Sequence, residues 1–242
     1  MKKSETNGIE FRSTMKTIGL IGGTSWESTK EYYRIINQTI NRRLGKKHSG
    51  KIILFSFDFE ELYSLKNNWH LISEKLIEAA RILERSGADF ILICANTMHK
   101  VAEKVQEKIN IPILHIADVT GQKIREKGLN TVGLLGTKFT MTDDFYKKRL
   151  KSKFDIQIIV PDKEEIELIQ KVIFEEICVG KLLDSSKQKF LEIIKNLKKK
   201  GASGIILGCT EIPLLIQQQD VDIPVFDTLE IHAETAVEFA LK

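Results

Sequence analysis

Two stretches of this 242-residue chain repeat each other 114 residues apart, and a chain built twice on one plan must fold into two similar halves. Thr17-Ile18-Gly19-Leu20-Ile21-Gly22 returns as Thr131-Val132-Gly133-Leu134-Leu135-Gly136. Gly87-Ala88-Asp89-Phe90-Ile91-Leu92-Ile93-Cys94-Ala95-Asn96-Thr97 returns as Gly201-Ala202-Ser203-Gly204-Ile205-Ile206-Leu207-Gly208-Cys209-Thr210-Glu211. Each copy of the second stretch has a cysteine at the mouth of its predicted strand, and two lobes facing each other across a cleft can approach one carbon from opposite sides.

Short apolar runs alternate with helical patterns along both halves. The runs are Thr17–Ile21, Ile52–Phe57, Phe90–Ile93 and Ile113–Ile116, then Val132–Leu135, Ile156–Val160, Ile205–Leu207 and Val225–Phe226. Unbroken apolar runs between amphipathic helices specify parallel strands covered on both faces. The expected fold is therefore α/β: two pseudo-symmetric, doubly wound lobes, each a mostly parallel sheet flanked by helices. Helices over Ser73–Ser86 and Lys187–Lys200 should stop at Gly87 and Gly201. No Pro- or Ser-rich linker intervenes, so the lobes should pack closely. The expected division is 15–116 with 224–242 in lobe 1 and 117–223 in lobe 2. Residues 1–14, polar and patternless, read as a disordered leader.

Composition narrows the function. A content of 42% hydrophobic and 29% charged residues is ordinary for a globular protein. The formal net charge of +4 comes mostly from scattered lysines, with one run at Lys195, Lys198, Lys199 and Lys200 that reads as a solvated helix end. Without aromatic interleaving this is no nucleic-acid surface. No apolar run approaches the roughly 20 residues needed to span a bilayer. Three cysteines and no secretory pattern predict free thiols and a cytoplasmic location.

In open parallel sheets, ligands bind beyond the carboxyl ends of the strands. Four loops there are rich in small and hydroxylated residues: Gly22-Gly23-Thr24-Ser25, Ala95-Asn96-Thr97-Met98-His99, Gly136-Thr137-Lys138-Phe139-Thr140 and Gly208-Cys209-Thr210-Glu211. Such donors suit a small carboxylate. Gly19, Gly22 and Gly23 do not make the dinucleotide fingerprint, no P-loop is present, and histidines and cysteines lack metal-ligand spacing. No nicotinamide and no metal are expected.

Gly19-Leu20-Ile21-Gly22-Gly23, Asn96-Thr97-Met98-His99, Gly133-Leu134-Leu135-Gly136-Thr137 and above all Gly208-Cys209-Thr210-Glu211 closely resemble the aspartate/glutamate racemase family. Ser25-Trp26-Glu27-Ser28-Thr29 and Pro224-Val225-Phe226-Asp227-Thr228 resemble its bacterial aspartate/glutamate-specific branch. The resemblance implies an isomerase without pyridoxal phosphate or other cofactor, with its site in the cleft between the lobes. One thiolate would remove the α-proton of an acidic amino acid and an opposite thiol return one. It also implies a homodimer whose partner is a small amino acid or dicarboxylate.

The expected catalytic thiol is Cys209, with Cys94 as its candidate partner. Thr24, Ser25, Asn96, Thr97, Thr137, Thr140, Thr210 and Glu211 are the candidate substrate-binding residues. The first cysteine of the resembling family stands where this chain has Ala95, and the internal repeat agrees: at the 114-residue offset Cys209 aligns with Ala95, and Cys94 with Gly208. A shift of one residue along a strand turns a side chain to the other face. Several acidic-amino-acid racemases also carry a basic residue near the position of Leu168, with Lys163 and Lys171 as possible substitutes here. Cys178 is expected in the core, within a helix over Ile169–Val179, His99 is expected to cap or pack, and Trp26 and Glu27 either to pack or to close over the site. The alternatives are a one-thiol decarboxylase or isomerase of the same superfamily, and a carboxylate-binding protein without turnover.

Overall fold

The computed structural model describes residues 15–65 and 68–242, so the expected leader over 1–14 lies outside the described residues. The first sheet comprises β1 (Ile18–Gly22), β2 (Ile52–Ser56) and β3 (Phe90–Ile93) in the order β2-β1-β3. The second comprises β4 (Thr131–Gly136), β5 (Gln157–Ile159), β6 (Ile205–Gly208) and β7 (Val225–Asp227) in the order β5-β4-β6-β7. Every strand pair is parallel. Around the first sheet run α1 (Trp26–Leu44), α2 (Phe59–Tyr63), α3 (Trp69–Arg85) and α4 (Ala102–Gln106). Around the second run α5 (Ile116–Glu126), α6 (Lys138–Thr142), α7 (Asp144–Phe154), α8 (Lys163–Glu175) and α9 (Asp184–Lys199), and α10 (Thr228–Ala240) follows β7.

The central strands are buried along their length, as their unbroken apolar sequences require. The duplication survives in the backbone: β1 and β4, β3 and β6, and α3 and α9 keep the offset. It loosens in between, where one long α1 faces a broken α6 and α7, so β2 and β5 fall out of step. α3 buries Ile72, Leu76, Ala79, Ala80 and Leu83, the three-and-four spacing read from sequence. Gly87 at φ +93° and Gly201 at φ +102° follow the two helices, and nothing crowds a side chain there, so the left-handed backbone alone selects glycine.

Two boundaries differ from the sequence expectation. Ile113–Ile116 is not a strand: Ile113 makes a single parallel bridge to Ile91, and His115 caps the helix that begins at Ile116 by accepting from Ala117 N–H at 3.2 Å. The second lobe also extends past 224, because β7 pairs with β6. Only α10 returns to the first lobe, where Leu229, Ala233 and Val237 join Ile18, Leu20, Tyr32, Ile36, Phe90 and Leu92 in one core. Burying side chains such as Leu229 and Val237 contributes about 1.5–3 kcal/mol each, which fixes the C-terminal helix as part of lobe 1.

Candidate active site

The carboxyl ends of β1, β3, β4 and β6 open onto one cavity of about 610 Å³ between the lobes. Thr24, Ser25, Asn96 and Thr97 line it from the first lobe, and Thr137, Cys209, Thr210 and Glu211 from the second. Thr140 does not reach it. That residue is fully buried, and its hydroxyl lies 3.1 Å from those of both Thr97 and Thr137, tying the lobes together behind the wall.

Cys209 follows β6 directly and is 8% exposed. Its Sγ donates to Glu211 Oε2 at 3.0 Å, and Thr210 Oγ1 donates to the same oxygen at 2.9 Å. Ser25, the N-cap of α1 across the cleft, donates from Oγ to Glu211 Oε1 at 3.0 Å. Burial and then the Glu211 carboxylate hold the Cys209 pKa well above that of an ordinary thiol. The sulfur therefore rests as S–H, hydrogen-bonded to the carboxylate.

Cys94 stands elsewhere. It is fully buried in the core of lobe 1 with Leu92 and Leu229, burial raises its pKa, and it does not line the cavity. Ala95 lines the cavity instead. This is the placement that the internal repeat implies and the reverse of what a paired-thiol role for Cys94 requires.

Asn96 is 4% exposed and donates from Nδ2 to Thr228 Oγ1 at 2.9 Å. The Thr228 hydroxyl gives its own proton to Leu207 O at 2.8 Å, so Thr228 can only accept from Asn96. That orients the amide with Oδ1 buried and without a partner. His99 packs, as expected: Nδ1 lies 2.8 Å from Ala95 O, Nε2 accepts from Ile116 N–H at 3.2 Å, and burial lowers its pKa. Trp26 is 65% exposed, and neither it nor Glu27 lines the cavity.

Most of the rest of the wall is apolar, a lining that the sequence motifs do not mark. Phe59 and Leu62 come from α2, Trp69 and Ile72 from α3, and Ile173 and Phe174 from α8. The signal was available, since the segments after β2 and β5 also leave the carboxyl ends of strands. Cys178 corrects another expectation. The helix stops at Glu175, and Ile177–Val179 forms a separate 3-10 turn that leaves Cys178 exposed and lining the cavity. Burial, then the charge of Glu211, pushes its thiol up to about 12. α8 turns Gln170 toward the cavity, while Lys163 and Lys171 stay outside it. No lysine or arginine lines the cavity among the described residues. Among them, too, no cluster of His, Cys, Asp and Glu could hold a metal ion, and no helix is long and apolar enough to cross a membrane.

The two lobes also grip each other beside the cavity. The Trp69 and Phe139 rings meet at 4.7 Å between centroids. Lys100 lies over both, 5.2 and 4.8 Å from their centroids, and pairs with Asp143.

With this geometry in place, the model of the Asp/Glu/Hydantoin racemase family matches residues 21–236. The chain belongs to that family. Among relatives of this racemase-family chain is the broad specificity amino-acid racemase RacX of Bacillus subtilis, 26% identical over 174 residues, covering 69% of this chain and 71% of RacX. A solved structure from Yersinia pestis, described as a candidate Asp/Glu racemase, is 46% identical with a TM-score of 0.90, over 94% of this chain and 100% of that one. An aspartate racemase homologue from Pyrococcus horikoshii is 41% identical with a TM-score of 0.84, over 94% and 100% of the two chains.

Proposed function

We propose that the chain is an amino-acid racemase that moves the α-proton with its own side chains and no bound cofactor. The observation that carries this reading is the Cys209 Sγ–H donated to Glu211 Oε2 at 3.0 Å inside the cavity. A neutral thiol is a poor base. Passing its proton to Glu211 makes the thiolate where the α-carbon would lie, and the thiolate can then take the α-proton. The charge that develops spreads into the substrate carboxylate, for which the Thr97 and Thr137 side chains at the cavity wall are the available hydroxyl donors.

The other face is different. Ala95 carries no proton-transfer group, so a proton returning on that side must come through Thr97 or water. The same residue favours a second reading, a one-thiol enzyme that exchanges or delivers a proton on one face only. Incubation with single enantiomers of amino acids in D₂O, followed by NMR and chiral chromatography, decides between them. Deuteration with inversion supports racemisation, and deuteration with retention supports one-sided chemistry. A Cys209→Ala variant with undiminished exchange refutes both. Three cysteines without disulfides accord with a cytoplasmic enzyme, and a homodimer is the assembly the family resemblance implies; sedimentation tests the latter.

A further inference from the structure

We propose that the cavity takes an α-amino acid with a bulky apolar side chain and discriminates against aspartate and glutamate. The proposal rests on the racemase reading for its reaction and on the walls for its specificity. The site divides into two regions. Hydroxyls and Cys209 gather at the strand ends, while Phe59, Leu62, Ile72, Ile173 and Phe174 form an apolar wall from α2, α3 and α8.

A carboxylate side chain placed against that wall loses its water and gains no opposite charge from the described residues that line it. Such uncompensated burial is unfavourable. The charged groups that do line the cavity have the same sign as an acidic substrate: Glu211 is buried at its floor and Glu60 is exposed on α2. Together these groups suit the α-ammonium of the substrate and repel a second carboxylate. On the α8 face, Gln170, Ile173 and Phe174 line the cavity where recognition of an acidic side chain would call for a cation. The volume of about 610 Å³ lies within the range of pockets that enclose large ligands, leaving room for an aromatic or branched side chain.

Two measurements test the proposal separately from the reaction. Isothermal titration of Cys209→Ala with phenylalanine, leucine, methionine, aspartate and glutamate reads binding alone. Phenylalanine or leucine should bind at least about 10-fold more tightly than either acidic amino acid, the scale of discrimination an apolar pocket provides. Tighter binding of aspartate or glutamate, or no binding of any of the five, overturns the proposal. Deuterium exchange by the unmodified protein should show the same order in kcat/KM, and faster exchange of the acidic pair also overturns it. If the apolar amino acids bind but none exchanges, the racemase reading fails while the specificity stands. Phe174→Arg, at a position 37% exposed, should move preference toward glutamate by about 10-fold, since it supplies a cation that none of the described lining residues provides. An unchanged preference in a folded Phe174→Arg protein counts against the assignment of that wall.

Discussion

Cys209 and Glu211 are joined by a hydrogen bond: the thiol donates to the carboxylate two residues along, Sγ to Oε2 at 3.0 Å, at the carboxyl end of β6. The strand exposes the sulfur, and the turn after it folds the carboxylate back.

Replacing Glu211 with Gln keeps the shape and removes the proton acceptor. Deuterium exchange should fall by about 10²-fold or more. Because the carboxylate charge opposes thiolate formation, the Cys209 pKa should move down in this variant, yet stay above that of a free thiol because burial is the larger cause. The pH dependence of iodoacetamide labelling measures the shift, and a variant that labels only at higher pH than the parent would contradict it.

The two buried thiols should part company on substitution. Cys209→Ala should lose at least about 10³-fold in exchange with little change in stability, since its site borders the cavity. Cys94→Ala should keep its exchange rate and lose about 1 kcal/mol in urea denaturation, through the void left in the core. Full loss of exchange in a folded Cys94→Ala protein would restore the paired-thiol mechanism.

Three histidines behind the site, His99, His115 and His232, are buried. Burial lowers His232 from 6.5 to about 4, and burial followed by the Arg149 charge lowers His115 to about 2. Between those values and 6.5 the unfolded chain binds more protons, so stability is full above about pH 6.5 and drains away as pH falls. Asp227, raised by burial from 3.8 to about 6, works in the opposite direction over that interval because the folded form takes its proton first. His232→Gln should flatten the acid side of the stability profile by on the order of 3 kcal/mol between pH 6.5 and 4. Chemical denaturation at stepped pH measures it, and parallel profiles for parent and variant would remove His232 as a cause.

Phe139→Ala breaks the aromatic contact with Trp69 that joins the lobes. Stability should fall by about 1–2 kcal/mol, and Trp69 emission should shift to the red. KM should rise more than kcat falls, because the ring frames the cavity without offering a reacting group. Equal effects on both constants would place Phe139 in the chemistry.

Much of this architecture was legible in the residues themselves. The repeated apolar stretches specified two parallel sheets, and Gly87 and Gly201 marked the ends of α3 and α9. The same repeat placed Ala95, not Cys94, opposite the Cys209 register. Tertiary partners decided what the periodicity could not. Val225–Phe226 reads equally well as a strand of either lobe until its pairing with β6 is seen. Cys178 fits a continuous helix until the chain breaks at Glu176. The apolar wall escaped notice because Phe59, Trp69 and Phe174 look like packing residues until their neighbours leave them facing empty space. The Asn96 amide took its orientation from Thr228, a residue 132 positions away.

The return of α10 to the first lobe has a consequence for how the molecule is made. During synthesis the first sheet emerges from the ribosome long before Leu229, Ala233 and Val237 exist to cover it. The nascent first sheet must wait with an open flank until α10 is translated, so the cleft matures only after both sheets have been made, however early its first strands appear.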